Sequence, residues 1–117
     1  MGYRSLQIEV VNSTGEKLVL QNETLQHGKW DTKPEDIASA TNSTFKAESK
    51  DGALIGVTGS ATWKGEADLG AFVISFNKPY GSGETEVNPG CPQDYKWELH
   101  GDTGGHKSSV KVIFSKL

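Results

Sequence analysis

Apolar residues recur at every second position along most of this chain. Leu6, Ile8 and Val10 alternate with Gln7 and Glu9, and Phe72, Ile74 and Phe76 alternate with Val73 and Ser75. A period of two places one set of side chains on one face of a strand; an amphipathic helix needs a period near 3.6. The same alternation runs through Phe45 and Ala47, through Val57, Gly59, Ala61 and Trp63, through Tyr95, Trp97 and Leu99, and through Val110, Val112 and Phe114. About eight short strands with turn residues between them predict an all-β chain, an antiparallel β-sandwich with no substantial helix. The 117 residues fit one domain, 1–117.

The punctuation sets the expected order. Asn12-Ser13-Thr14-Gly15 reads as a turn, so residues 6–11 and 17–21 are expected to open the fold as a hairpin. A third short strand is expected over 26–30. Pro34 interrupts it, and one helical turn over 35–40 is compatible with a proline at its start. Strands are expected near 43–49 and 56–64, with turns at Asp51-Gly52 and Lys64-Gly65-Glu66. The strand over 71–77 is the most apolar and is expected to be central in a sheet. Residues 78–94, rich in Gly and Pro, read as one long loop. Gly101 to Gly105 reads as the last turn.

Charge and cysteine content exclude several classes. Twelve Lys+Arg against 15 Asp+Glu leave a net charge of −3, and Arg4 is the sole arginine. Such scattered charge does not make a groove for a nucleic-acid duplex, so no nucleic-acid partner is expected. The single cysteine, Cys91, allows no internal disulfide and no all-cysteine metal site. No apolar run approaches the ~18 residues of a membrane-spanning helix. The residues after Met1 show no apolar signal core, so the expectation is production in the cytoplasm of the cell that makes it.

No catalytic constellation stands out. His100 and His106 flank Asp102, but their spacing matches no metal motif, and a solvated turn is the simpler reading. Cys91 has no neighbouring base and reads as inert or as a partner in an intermolecular disulfide. Glu84 and Glu86 share a face only in an extended segment and do not read as a glycosidase pair. Gly81-Ser82-Gly83 lacks the Gly-Lys-Ser/Thr of a phosphate loop. Asn12, Asn22 and Asn42 head glycosylation patterns that are common by chance in a Ser/Thr/Asn-rich chain. No cofactor and no enzyme activity are expected. Trp63 and Trp97 sit in alternating strands and are expected in the core. Trp30 and Tyr80 adjoin turn residues and are expected at an exposed edge, where an amphipathic ring suits a membrane interface. Lys29 and Lys78 beside them would attract anionic lipid.

Five stretches, in order, resemble one family. They are Gln7-Ile8-Glu9-Val10-Val11-Asn12-Ser13-Thr14-Gly15, Gly28-Lys29-Trp30-Asp31-Thr32-Lys33-Pro34, Phe45-Lys46-Ala47-Glu48-Ser49, Gly56-Val57-Thr58-Gly59 and Phe76-Asn77-Lys78-Pro79-Tyr80-Gly81-Ser82. Together they resemble the aegerolysin family, and within it the smaller component of binary insecticidal crystal toxins. The resemblance implies a β-sandwich that binds a target-cell membrane lipid or receptor. With a larger β-rich partner protein it would form pores in insect gut cells, after release from a bacterial cell by lysis. The alternative is a non-toxic lectin-like or lipid-binding module on the same fold. Either reading allows a homo-oligomer. The expected membrane- or partner-binding residues are Trp30, Tyr80, Lys29 and Lys78.

Overall fold

The structure, a computed structural model, describes residues 4–50, 56–65, 70–81 and 84–117. The turns expected at Asp51-Gly52 and at Glu66, and Ser82 and Gly83 of the expected long loop, lie outside the described residues.

Among the described residues nine strands are formed: β1 Ser5–Ser13, β2 Leu18–His27, β3 Lys29–Thr32, β4 Asn42–Glu48, β5 Val57–Gly65, β6 Ala71–Lys78, β7 Glu86–Gly90, β8 Tyr95–Asp102 and β9 Lys107–Lys116. They make a five-stranded sheet in the order β3-β4-β1-β9-β8 and a four-stranded sheet in the order β2-β5-β6-β7. The predicted all-β sandwich is therefore the observed architecture. All pairings are antiparallel except β1 with β9, which run parallel and join the two ends of the chain.

The alternation does the work assigned to it. Along β6, Phe72, Ile74 and Phe76 point inward and are buried, and along β9 so are Val110, Val112 and Phe114. Phe72 meets Phe114 edge-on across the sandwich, ring centres 5.2 Å apart, a geometry aromatic rings favour. Trp63 is buried in β5 as expected.

Four expectations are corrected. β1 and β2 are not a hairpin, because they lie in different sheets. Asn12 explains this: its side chain turns inward, fully buried, and its amide donates to the carbonyls of Glu16 (2.6 Å) and Ile37 (3.0 Å). Its Oδ1 accepts from the Thr14 hydroxyl at 2.7 Å. The Asn-Ser-Thr-Gly segment is thus held as a crossing between sheets, and its buried amide is no glycosylation acceptor.

Residues 35–40 form no helical turn. Ile37 is buried and exchanges both backbone bonds with Leu18, while the Glu35 carbonyl accepts from the Trp63 indole at 2.8 Å. Those outside partners replace the bonds a lone helical turn would need.

Residues 78–94 are not one loop, since β7 lies within them. Val87 pairs opposite Phe76 and turns inward, and Pro89 sits on an edge strand, where a missing N–H costs no ladder bond.

Trp97 is not in the core: it is 43% exposed. It shares a face with buried Phe114, so the phase of the strand is as expected. Its strand is the edge of the larger sheet, and the sheet opposite ends at the five-residue β7, so little covers the indole.

Candidate functional site

The strand register gathers the four expected residues at one end of the sandwich. Ser5 pairs with both Glu48 and Lys107, Lys29 pairs with Glu48, and Val57 pairs with Lys78. The start of β1, β3 and β9 and the finish of β4 and β6 therefore share that end. Two glycines permit the close packing there. Gly28 has φ of +104°, and a Cβ on it would lie 2.8 Å from the Glu48 carbonyl oxygen. A Cβ on Gly56 would collide with the Lys78 carbonyl and the backbone of Pro79 and Tyr80.

Trp30 lies on the short edge strand β3 and is half-buried. Its ring stands edge-on to Phe45 (5.9 Å) and Phe76 (6.2 Å), rings from opposite sheets. Its inner edge thus closes the core and part of it remains open to solvent. Lys29 is exposed and lies 3.8 Å from the Glu48 carboxylate. Tyr80, also half-buried, carries the Arg4 guanidinium 4.8 Å above its ring centre, within range of a cation–π contact. Arg4 also donates to Nδ1 of His106.

Lys78 departs from its expected role. It is 2% exposed, so its ammonium does not lie on the surface. Nζ donates to the Ser108 hydroxyl (2.6 Å), the Gly105 carbonyl (2.8 Å) and the Thr85 hydroxyl (3.2 Å). Those three acceptors use all three of its protons. The Ser108 hydroxyl in turn donates a hydrogen bond to the Thr103 carbonyl at 2.9 Å. Burial pushes the Lys78 ammonium below its usual pKa, the Arg4 charge adds to that, and Asp102 opposes it. Lys78 is therefore a fastener between the sheets, tying the 103–108 turn to the end of β6.

A cleft of about 350 Å³ opens beside these groups. Arg4, Lys78, Pro79, Glu84 and His106 line it, together with residues 103–105 of the turn. It offers a guanidinium, an imidazole and one carboxylate, next to the ring of Tyr80 that Arg4 covers. That combination suits a zwitterionic or polar head group lying against aromatic rings.

Elsewhere the candidate groups stay apart. His100 contacts Glu98 at 3.1 Å, whereas His106 contacts Arg4, so the two histidines do not converge on Asp102. Asp102 instead caps the turn by accepting from the Gly104 N–H at 2.8 Å. The Cys91 thiol is half-buried and pushed to a higher pKa by burial, which keeps it protonated and a poor nucleophile at neutral pH. Among the described residues, no group of three His, Cys, Asp or Glu side chains could hold a metal ion. The sequence reading set His106 aside as part of a solvated turn and did not count Arg4 among the binding residues; its being the sole arginine was the one signal that could have pointed to it.

No family model and no curated protein matches the chain. Solved structures do. RahU protein, crystallised in complex with a TRIS molecule, superimposes with a TM-score of 0.81 at 18% identity, covering 97% of this chain and 96% of RahU. The lipid binding protein Nakanori gives 0.80 at 16% identity, covering 97% of this chain and 71% of Nakanori. IP-1A from Alcaligenes faecalis gives 0.74 at 14% identity, covering 97% and 91%. The fold is an aegerolysin-like β-sandwich. The likeness extends over both sheets at identities that carry architecture and no individual side chain.

Proposed function

We propose that this chain is a lipid-binding module of the aegerolysin type, which meets the membrane with the end that bears Trp30, Tyr80, Arg4 and Lys29. The observation that carries the reading is the gathering of these two half-open rings and two cations at one end of the sandwich, with Arg4 and Tyr80 stacked at the cleft. A sandwich shared with a lipid binding protein supports it. Each ring is half-buried, part of it against the fold and part in water, the disposition that partitions into a head-group layer. The surrounding cations add about 1 kcal/mol each near an anionic leaflet.

The finer reading is that the chain serves as the membrane-binding component of a two-component insecticidal pore-forming toxin. A larger β-rich partner would supply the membrane-spanning part. The five sequence stretches quoted above support it. No helix among the described residues is long and apolar enough to cross a membrane.

Sedimentation with vesicles tests the first reading. Vesicles of phosphatidylcholine, of phosphatidylcholine with phosphatidylserine, and of sphingolipid with sterol should include at least one that pulls down the parent chain. Trp30→Ala and Tyr80→Ala should bind that vesicle at least several-fold less well while keeping the β-sheet circular dichroism of the parent. A parent that binds none of the three, or variants that bind equally well, would remove this end as the membrane face. Dye release from loaded vesicles, with and without a larger chain encoded beside this one, tests the second reading. Full release by this chain alone would end the two-component scheme.

A further inference from the structure

The sandwich has four edge strands, and three of them are blunted against pairing with another chain. β3 has only four residues and a register shift between Trp30 and Thr32. β2 carries register shifts at Leu20/Asn22 and at Leu25/His27. β7 is five residues long and contains Pro89. Short length, bulges and proline are among the usual protections of an exposed edge, beside charged side chains. β8 has no shortening, bulge or proline, and its charges, Lys96 and Glu98, are of opposite sign. It runs eight residues from Tyr95 to Asp102, pairs with β9 without a shift, and carries the 43%-exposed Trp97 near its centre.

The direction of its backbone groups follows from one bond. The Leu117 N–H donates to the Asp94 carbonyl, which marks these two as a hydrogen-bonded pair. Such pairs alternate along an antiparallel ladder, so Lys96, Glu98 and His100 turn their backbone groups toward β9. Tyr95, Trp97 and Leu99 turn theirs to the open edge. The Tyr95 N–H is engaged by the Pro92 carbonyl at 3.0 Å.

We infer that β8 is an interface for a second copy of this chain, the two β8 strands pairing antiparallel about Trp97. In this register Trp97 and its mate exchange both backbone bonds, and the Leu99 N–H donates to the Tyr95 carbonyl of the second copy. The engaged Tyr95 N–H is not needed. On the outer face Lys96 and Glu98 carry opposite charges, and His100 follows them. Lys96 then stands opposite Glu98 of the second copy, and Asp94 opposite His100, each pair occurring twice. A register centred on Glu98 would oppose Glu98 to itself, and like charges directly opposite are destabilising. On the inner face the two Trp97 rings cover one another, and Tyr95 lies against Leu99. The two five-stranded sheets become one continuous sheet across the pair. The inference is independent of the lipid reading, because β8 flanks the sandwich and the Trp30 end is not used.

Sedimentation velocity on the full chain, from low micromolar to the highest soluble concentration, is the test. The parent should show a concentration-dependent dimer. Glu98→Lys should weaken it by roughly tenfold or more, since two like-charge oppositions are created. The double variant Lys96→Glu/Glu98→Lys should restore the dimer, because the opposed pairs again differ in sign. Restoration is specific to the Trp97-centred register. Circular dichroism should show all variants folded, as both side chains are exposed. A covalent readout stands beside it. In a Cys91→Ser background, Trp97→Cys should form a disulfide-linked dimer on mild oxidation, since Cα atoms of a hydrogen-bonded pair lie about 5.5 Å apart. A parent monomeric at every concentration would overturn the inference, the edge then belonging to a different chain. A dimer indifferent to Glu98→Lys, a double variant that stays weak, or no cross-link would overturn it as well.

Discussion

Lys78 shows how a single residue can be placed correctly in sequence and assigned the wrong task. Phe72, Ile74 and Phe76 define the inward phase of β6, and Lys78 is the next position in that phase. The alternation therefore already pointed its side chain inward. What it did not reveal is the set of acceptors from Thr85, Gly105 and Ser108, which come from distant parts of the chain. Replacing Lys78 by Met should destabilise the fold by on the order of 1–3 kcal/mol, because those buried acceptors lose their donor. Urea unfolding would measure this. Tyr95 gives a prediction of pH dependence. Its phenol donates to Glu16 at 3.0 Å, and burial, then that bond and the Glu16 charge, raise its pKa above the ordinary value of 10.0. A raised acid binds its proton more tightly in the folded state. Its contribution to stability is thus complete below pH 10 and is lost as pH climbs through the folded-state pKa. Tyr95→Phe should cost about 1 kcal/mol at pH 7, the worth of one hydrogen bond. It should also flatten the decline of stability in alkali, measured as urea midpoints on either side of pH 10.

At the scale of elements, the period of the sequence located the strands, and their order in the sheets was the harder part. The segments 71–77, 43–49 and 56–64 are strands because their alternation and β-favouring residues act locally. Partner choice is set over long separations. β2 leaves β1 for β5 because buried Asn12 bonds to Glu16 and Ile37, a contact no local pattern encodes. β7 was invisible because Pro89 reads as a breaker, and only an edge position makes it tolerable. The two tryptophans of the alternating strands separate for the same reason. Trp63 lies in β5, an inner strand, and its indole N–H is satisfied by the Glu35 carbonyl. Trp97 has the same phase on an edge strand. Trp63→Ala should cost about 3–5 kcal/mol, the range for emptying a large aromatic site. Trp97→Ala should cost about 1 kcal/mol or less in the monomer, as substitutions at exposed positions do. Chemical denaturation of both variants at a concentration below any self-association gives the comparison. Equal losses would mean that β8 is covered in solution by more than its own fold.

The three tryptophans sit at three places on the whole molecule, and this lets the direction of membrane approach be read from fluorescence. Trp63 is in the core, Trp30 at the end with Tyr80 and Arg4, and Trp97 on the flank. The long dimension of the protein is 43 Å against 22 and 20 Å across. End-on contact therefore buries a small patch and holds the flank away from the bilayer by a distance exceeding the head-group layer. The net charge of −3 opposes approach to an anionic surface as a whole, so contact depends on the local cations Arg4 and Lys29 and on the rings. Screening at physiological salt, with a Debye length of about 8 Å, removes the long-range repulsion and leaves that local contact. Vesicles carrying brominated acyl chains quench indoles that enter the bilayer. With the parent chain, part of the emission should be quenched. Trp30→Phe should abolish the quenchable part and keep binding measurable, since a ring remains at that position. Trp97→Phe should leave the quenched amount unchanged. Loss of quenching in the Trp97 variant, with none lost in the Trp30 variant, would mean that the protein lies on its flank, and that the β8 edge rather than the Trp30 end is what touches lipid.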